Sequence, residues 1–226
     1  MMRLPKRIEF DSNKTNIVFV GNSLVYGDQY GGVTYRTWEA KLEAVAPILG
    51  SGISIVNLGH NGWNIPALTN GADSSTAFVE GKTNIMLFYE GTNSLNAGRS
   101  ASNVFSDLAT FCETRLSEHP WKIILVSTLP FYIAGWTDSD SETINANAIA
   151  FNSLMEYQHR ALGCVGFANV RRPGTPWGSM PDYTQASFNA SSMSTLWSSD
   201  RVHPSEAGNV ELAKLLAPEL RRARVR

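Results

Sequence analysis

The sequence has 226 residues, with 19 basic and 20 acidic side chains and a formal net charge of −1. This near-balance gives no reason to expect nucleic acid or an anionic membrane surface as a partner. Hydrophobic residues make up 43% and charged residues 17%, which is typical of a globular chain. The length suits one substantial core and is short for two, so we predict a single domain over residues 1–226.

Short apolar runs alternate with longer segments of helical periodicity, which is typical of a parallel sheet covered by helices. Five runs predict strands at 16–20, 53–58, 84–89, 122–127 and 164–168. Four segments predict helices at 34–49, 104–116, 144–162 and 205–220. The interval 169–199 has no clear period, which predicts a long irregular loop near the site. The predicted fold is a three-layer α/β/α, flavodoxin-like, doubly wound parallel sheet of about five strands.

Several classes of partner and cofactor have no support in the sequence. No apolar stretch reaches the length of a membrane span or of a signal peptide, so we expect a soluble cytoplasmic protein, with secretion left open. The two cysteines, Cys112 and Cys164, give no disulfide framework. Asp138, Asp140 and Glu142 favour the start of the next helix over a calcium loop. No cluster has metal-ligand spacing, and we expect neither a metal nor another cofactor.

The turns after the first three predicted strands are the places to look for a site, because ligands bind at the carboxyl ends of such strands. These turns read Gly21-Asn22-Ser23-Leu24, Gly59-His60-Asn61-Gly62 and Gly91-Thr92-Asn93-Ser94. A serine hydroxyl such as that of Ser23 becomes a nucleophile only when a base takes its proton. A Gly-Asn-Ser sequence alone favours an ordinary turn.

The best-placed base among four histidines is His203, in Asp200-Arg201-Val202-His203-Pro204 directly before the last predicted helix. A carboxylate three residues upstream can hydrogen-bond the imidazole Nδ1, which leaves Nε2 free to accept a proton. From these residues alone, a helix-entry cap with a bystander histidine stays open. His60 flanks the second turn, where it could contact substrate.

Acyl transfer also requires hydrogen-bond donors where negative charge develops on the carbonyl oxygen. The backbone N–H of Gly59 and of Ser23 and the side-chain amide of Asn93 are the candidates for this oxyanion hole. Ordinary turn chemistry explains each of them equally well when they are taken one at a time.

Taken together and in chain order, these motifs resemble those of the SGNH hydrolases, also called GDSL-type lipases and esterases. The four matching segments are Gly21 to Leu24, Asn57 to Gly62, Gly91 to Ser94 and Asp200 to His203. The resemblance implies Ser23 as nucleophile, His203 and Asp200 as base and orienting carboxylate, and Ser23, Gly59 and Asn93 as oxyanion donors. Asn22 and Ser94 depart from it, since the family has aspartate at both positions. The chain has no Gly-x-Ser-x-Gly, which argues against an α/β-hydrolase nucleophile elbow.

We therefore expect a serine ester hydrolase acting on short-chain acyl or acetyl esters, including O-acetylated carbohydrate. A lipase, lysophospholipase or thioesterase of the same fold stays open. So does a carbohydrate-binding module without catalysis. A flavodoxin-like cofactor binder is disfavoured, because no Gly-x-Gly-x-x-Gly follows the first strand. The side chains predicted to contact substrate are Asn22, His60, Trp63 and Trp177.

Overall fold

The structure is a computed structural model that describes residues 6–9, 14–26, 52–71, 73–178, 182–190 and 194–225. The predicted helix 34–49 lies outside these residues. The strands are β1 Lys6–Glu9, β2 Thr15–Gly21, β3 Ile53–Gly59, β4 Thr83–Tyr89, β5 Lys122–Val126 and β6 Gly166–Ala168. The helices are α1 Ser23–Tyr26, α2 Ile65–Asn70, α3 Asp73–Thr76, α4 Thr92–Asn96, α5 Ala101–Glu118, α6 Asp138–Gln158, α7 Gln185–Asn189 and α8 Glu206–Val225.

The strands form one sheet in the order β1-β3-β2-β4-β5-β6. Strands β2 to β6 are parallel, which confirms the five predicted strands and the doubly wound α/β fold. Strand β1 pairs with β3 in the antiparallel direction at the sheet edge. It was not predicted, because three of its four residues are charged and give no apolar run.

Alternation along the central strands supplies both faces of the sheet with apolar side chains. In β2, Ile17 and Phe19 belong to one buried cluster, whereas Val18 and Val20 belong to the other. Helix α8 covers the first face, and its buried residues there include Leu212, Leu216 and Leu220. Helices α2, α5 and α6 cover the second face, through residues such as Leu68, Leu108 and Phe151. The result is the predicted three-layer arrangement.

The three predicted helices that lie within the described residues are present and differ mainly at their ends, whereas the short helices α1 to α4 and α7 were not predicted. Helix α6 begins at Asp138 because Thr137 and Asp140 form a capping box, and this confirms the acidic residues as a helix start. Helix α8 continues past residue 220, since Ala223 is still buried against the core, with 3% of its surface exposed. The interval 169–199 contains a 3-10 turn, Pro176–Gly178, and the short helix α7, so it is less irregular than predicted. Among the described helices, none is both long and apolar enough to cross a bilayer.

The register of the parallel strands brings three turns to one edge of the sheet. Gly21, the last residue of β2, lies opposite Gly59 on β3 and Tyr89 on β4. Helix α1 passes so close that a Cβ on Gly59 would lie 2.0 Å from the Tyr26 nitrogen, which only glycine tolerates. The segments that follow β2, β3 and β4 therefore meet at the carboxyl edge.

Candidate active site

Ser23 is the first residue of α1, immediately after β2. The Asn22 side chain closes this turn, because its Oδ1 accepts the Leu24 N–H at 3.0 Å while its backbone carbonyl accepts from Val25 and Tyr26. Ser23 keeps 8% of its surface exposed, whereas Asn22 before it is fully buried. The end of β2, the Asn22 turn and the start of α1 thus place the Ser23 hydroxyl at the carboxyl edge of the sheet.

The Ser23 hydroxyl is the first member of a continuous hydrogen-bonded chain. His203 Nε2 lies 2.8 Å from Ser23 Oγ, and His203 Nδ1 lies 2.5 Å from Asp200 Oδ2. Because a carboxylate accepts at Nδ1, the imidazole carries its proton there and Nε2 is left as the acceptor for the serine proton. Ser23 and His203 are 180 positions apart along the chain, yet their side chains are in direct contact.

Asp200 is held in its ionised form by the donors around it. Burial alone would raise the pKa of Asp200, but hydrogen bonds from the His203 ring, the His203 and Val202 N–H groups and Ser198 outweigh it. The pKa of this carboxyl is therefore well below its usual range. The Ser198 hydroxyl lies 2.6 Å from Asp200 Oδ1. A permanently ionised carboxylate at this position stabilises a positively charged imidazole.

The segment that carries Asp200 and His203 is a tight reversal of the chain. Trp197 and Pro204 form an isolated antiparallel bridge, and the Ser198 N–H donates to the His203 carbonyl at 2.8 Å. Arg201 takes a left-handed conformation with φ of 56°, which turns the backbone between the two side chains. This reversal presents Asp200 and His203 on the same side.

The position of Trp177 corrects a predicted substrate contact. Its side chain is 1% exposed and packs edge-on against Trp197, with ring centroids 4.9 Å apart. A Cβ on Gly208 of helix α8 would lie 3.1 Å from the Trp177 ring. Trp177 is therefore a core residue beneath the His203 segment, and the sequence could not distinguish this burial from a loop exposure.

A second correction concerns Asn22, which is fully buried and has no surface with which to meet a substrate. Its Oδ1 is used by the α1 turn. Its Nδ2 is buried and has no hydrogen-bond partner among the described residues. Asn22 therefore builds the turn that presents Ser23 and does not contact the ligand.

Gly59 was predicted as an oxyanion donor, and the structure contradicts this prediction. Its N–H donates to Asn57 Oδ1 at 2.8 Å, and its Cα faces the backbone of α1. Three residues later, Gly62 lies in a turn closed by the Trp63 N–H and the His60 carbonyl, with φ of +76°. That conformation at the third turn position favours glycine. No acceptor for the Gly62 N–H is found among the described residues.

His60 and Trp63 lie at the mouth of this same turn. Their rings are stacked, with centroids 3.8 Å apart and planes within 10° of parallel. Both side chains are partly exposed. The Trp63 carbonyl accepts one hydrogen of the Asn93 side-chain amide at 2.9 Å, which leaves the second amide hydrogen for a ligand. The turns after β3 and β4 are thus joined through Asn93.

Two residues of this region were not predicted from the sequence. Ser198 contacts Asp200, and no pattern pointed to it. Glu90 follows β4 and is 1% exposed, and its carboxylate accepts hydrogen bonds from the turn that carries Asn93. Burial raises the pKa of Glu90, while the hydrogen bonds from Ser94, Asn93 and Gly91 oppose the rise. The sequence does contain a signal for Glu90, since it is a charged residue directly after an apolar predicted strand.

A doubly wound α/β sheet with a hydrogen-bonded Ser–His–Asp chain at its carboxyl edge defines a class of serine hydrolases. The sequence matches the model of the GDSL-like Lipase/Acylhydrolase family over residues 19–210, and the chain belongs to that family. It is an ester hydrolase of the GDSL type. Comparison with curated protein sequences gives no significant match.

Solved structures with the same fold cover nearly the whole chain. A lipolytic G-D-S-L protein from Veillonella parvula superposes with a TM-score of 0.66 at 16% identity, covering 90% of this chain and 97% of that one. TesA gives a TM-score of 0.64 at 16% identity, with 92% and 99% covered. A variant of an acetyl-xylooligosaccharide esterase from Geobacillus gives 0.60 at 18% identity, with 92% and 95% covered. At these identities the likeness establishes the fold.

Proposed function

We propose that this esterase hydrolyses short-chain acyl or acetyl esters through an acyl-enzyme on Ser23. The observation that carries the proposal is the unbroken chain from Ser23 Oγ through the His203 ring to Asp200, at 2.8 and 2.5 Å. An acceptor nitrogen within hydrogen-bond distance of a serine hydroxyl, itself oriented by an ionised carboxylate, is the arrangement that activates the hydroxyl.

In the first step Ser23 Oγ attacks the ester carbonyl carbon and His203 Nε2 accepts the hydroxyl proton. Asp200 stabilises the imidazolium that forms. The tetrahedral intermediate then collapses, the bond to the alcohol oxygen breaks, and His203 returns the proton to the leaving alcohol. In the second step His203 takes a proton from water as its oxygen attacks the acyl-enzyme. Collapse of the second intermediate releases the acid and returns the proton to Ser23.

Three donors are assigned to the oxyanion that develops in both steps. They are the Ser23 N–H, the free hydrogen of the Asn93 amide and the Gly62 N–H. Gly62 takes the place predicted for Gly59, because its N–H is not used by the turn and the adjacent Trp63 carbonyl already contacts Asn93. Each such donor contributes about 10²–10³ in turnover when it is aimed at the developing charge.

The substrate side of the site is assigned to the stacked pair His60 and Trp63. A flat aromatic surface next to the oxyanion donors suits the face of a sugar ring or the edge of a small acyl group. One neighbour of the same fold is described as an acetyl-xylooligosaccharide esterase, which makes acetyl esters on carbohydrate a chemistry to test here. Long acyl chains and thioesters are the competing substrates within the same fold.

The test is a chain-length profile of p-nitrophenyl esters, from acetate to palmitate, measured on the purified protein and on Ser23→Ala. We expect the highest kcat/KM on acetate or butyrate and loss of nearly all turnover in the alanine variant. An acetylated xylooligosaccharide and an acyl thioester complete the panel. A wild type that does no better than Ser23→Ala on every substrate contradicts catalysis and favours a binding module. A maximum at long chains or on the thioester contradicts only the substrate class.

A further inference from the structure

The buried carboxylate of Glu90 is unusual because it has no ion-pair partner among the described residues. It is 1% exposed, and no Lys, Arg or His of the described residues forms an ion pair with it. Burying a carboxylate without a cation is costly for stability. Glu90 follows β4, the neighbour of the strand that precedes Ser23. Its unfavourable burial at this position suggests a functional role.

The hydrogen bonds that this carboxylate accepts from described residues come from the turn that carries Asn93. Glu90 Oε1 accepts the N–H of Asn93 at 2.8 Å and that of Ser94 at 3.2 Å, and Oε2 accepts the Ser94 hydroxyl at 2.8 Å. The Ser94 oxygen in turn accepts the Ile65 N–H, at the start of α2, at 3.3 Å. The carboxylate therefore fixes the backbone of Asn93 and connects it to the segment that contains Trp63.

The arrangement requires a carboxylate in particular. Both oxygens of Glu90 accept hydrogen bonds, from three donors in all, whereas a glutamine offers only one oxygen to such donors. A glutamine of the same shape would direct an N–H₂ group at the Ser94 oxygen, which already receives the Ile65 N–H. The Ser94 hydroxyl would then have to leave this contact, and the turn would shift.

We propose that Glu90 is a positioning residue, which holds Asn93 so that its free amide hydrogen points at the substrate oxyanion. The inference rests on the proposed function, because it assigns Glu90 to the oxyanion donor of that reaction. A donor misplaced by about 1 Å can cost as much as 10² in rate. Glu90 acts through Asn93 and does not itself touch the reacting atoms.

The experiment is a double-mutant cycle of Glu90→Gln and Asn93→Ala, with kcat, KM and Tm measured for each protein on p-nitrophenyl acetate. We expect Glu90→Gln to lower kcat about tenfold, with KM within about twofold and Tm within about 3 °C. Asn93→Ala lowers kcat about 10²–10³-fold. The double variant is no slower than Asn93→Ala alone, because Glu90 has nothing left to position.

A matched control is Glu156→Gln on the exposed side of α6, where the glutamate side chain accepts a hydrogen bond from the Asn169 amide. This control keeps wild-type kcat. A further tenfold loss in the double variant would show that Glu90 acts independently of Asn93 and would overturn the inference. A lower Tm with unchanged kcat per folded molecule would reduce Glu90 to a structural residue and overturn it too. A wild-type protein without activity would contradict the proposed function. The comparison with Ser23→Ala detects that outcome separately.

Discussion

The two ends of the parallel sheet use the same kinds of short polar residue for opposite purposes. At the amino end Asn16, Ser54 and Asn84 stand side by side on β2, β3 and β4, and all three are buried. Ser54 Oγ donates to Asn16 Oδ1 at 3.0 Å, and Asn16 Nδ2 donates to Asn84 Oδ1 at 2.9 Å. Asn84 Nδ2 donates to the carbonyls of Val79 and Lys82. Every side-chain polar atom of this network has a protein partner.

The carboxyl end has the opposite character. Asn22 Nδ2 is buried without a partner among the described residues, and the Asn93 amide has one hydrogen to spare. Glu90 is a buried carboxylate that forms no ion pair within the described part of the chain, and Asp200 is held ionised beside an imidazole. Polar satisfaction at one end supports stability, whereas incomplete pairing and fixed charge at the other leave groups available for chemistry. Substitutions at the two ends should therefore separate stability from turnover.

The largest effect is expected for Asp200→Asn at the carboxyl end. Asn Oδ1 can keep the backbone hydrogen bonds of Val202 and His203, but its N–H₂ group then faces His203 Nδ1. The ring is forced to carry its proton on Nε2 and can no longer accept the Ser23 proton. We expect kcat to fall about 10⁴-fold with little change in KM.

The control for this variant is Asp107→Asn on α5, which removes an ion pair with Arg99 outside the hydrogen-bonded chain of Ser23, His203 and Asp200. It should keep kcat close to the wild-type value. Steady-state kinetics on p-nitrophenyl acetate measure both variants. A loss of tenfold or less in Asp200→Asn would mean that the carboxylate does not fix the tautomer of His203.

The next effect is expected for Asn93→Ala, which removes an oxyanion donor and leaves the network at the amino end intact. We expect kcat to fall about 10²–10³-fold with KM nearly unchanged, since the lost hydrogen bond is made mainly in the transition state. Tm should change little, because Asn93 is partly exposed and its amide donates to one described residue, at the Trp63 carbonyl. Thermal unfolding beside the kinetics checks both statements. A large fall in Tm would show that Asn93 stabilises the fold and would contradict this prediction.

The reverse pattern is expected for Asn84→Ala at the amino end. Its removal leaves Asn16 Nδ2 and the Val79 N–H without the Asn84 oxygen. We expect the free energy of unfolding to fall by about 2–3 kcal/mol. The kcat of the folded fraction should stay within about twofold of wild type, which urea unfolding and active-site-normalised kinetics would establish. A matched loss of turnover would show that the two ends of the sheet are coupled.

The elements predicted correctly are those in which local pattern and tertiary environment agree. The runs around Ile17, Ile55 and Ile85 are buried on both faces, so their apolar character identifies them as strands without further information. Strand β1 has no such character, and its pairing with β3 depends on the sheet that it joins. Helix α6 starts earlier than the apolar period suggests, because the capping box of Thr137 and not the buried face fixes its first turn.

Within the candidate site, the sequence predicts which types of residue are present. It does not predict which groups they hydrogen-bond. The spacing of Asp200 and His203 alone leaves a helix cap open, and only the four motifs in chain order indicate a base and its carboxylate. Which glycine N–H is free depends on how Asn57 folds back onto Gly59, and a sequence motif does not contain that information. Whether Trp177 faces solvent depends on a contact with α8, far along the chain.

The smallest effect is a pH dependence of stability that only the carboxyl end should have. Because the pKa of Asp200 is below its usual range in the folded protein, its ionised form stabilises the fold at pH values above the unfolded pKa of about 4. That contribution is lost as the pH falls through the folded pKa. The Tm advantage of wild type over Asp200→Asn should therefore shrink as the pH is lowered from about 4 towards 2. Asn84→Ala removes no titratable group, so its Tm deficit should stay constant over the same window. A wild-type advantage over Asp200→Asn that widens on acidification would mean that Asp200 is not held ionised by its donors, and the electrostatic contrast between the two ends of the sheet would fail.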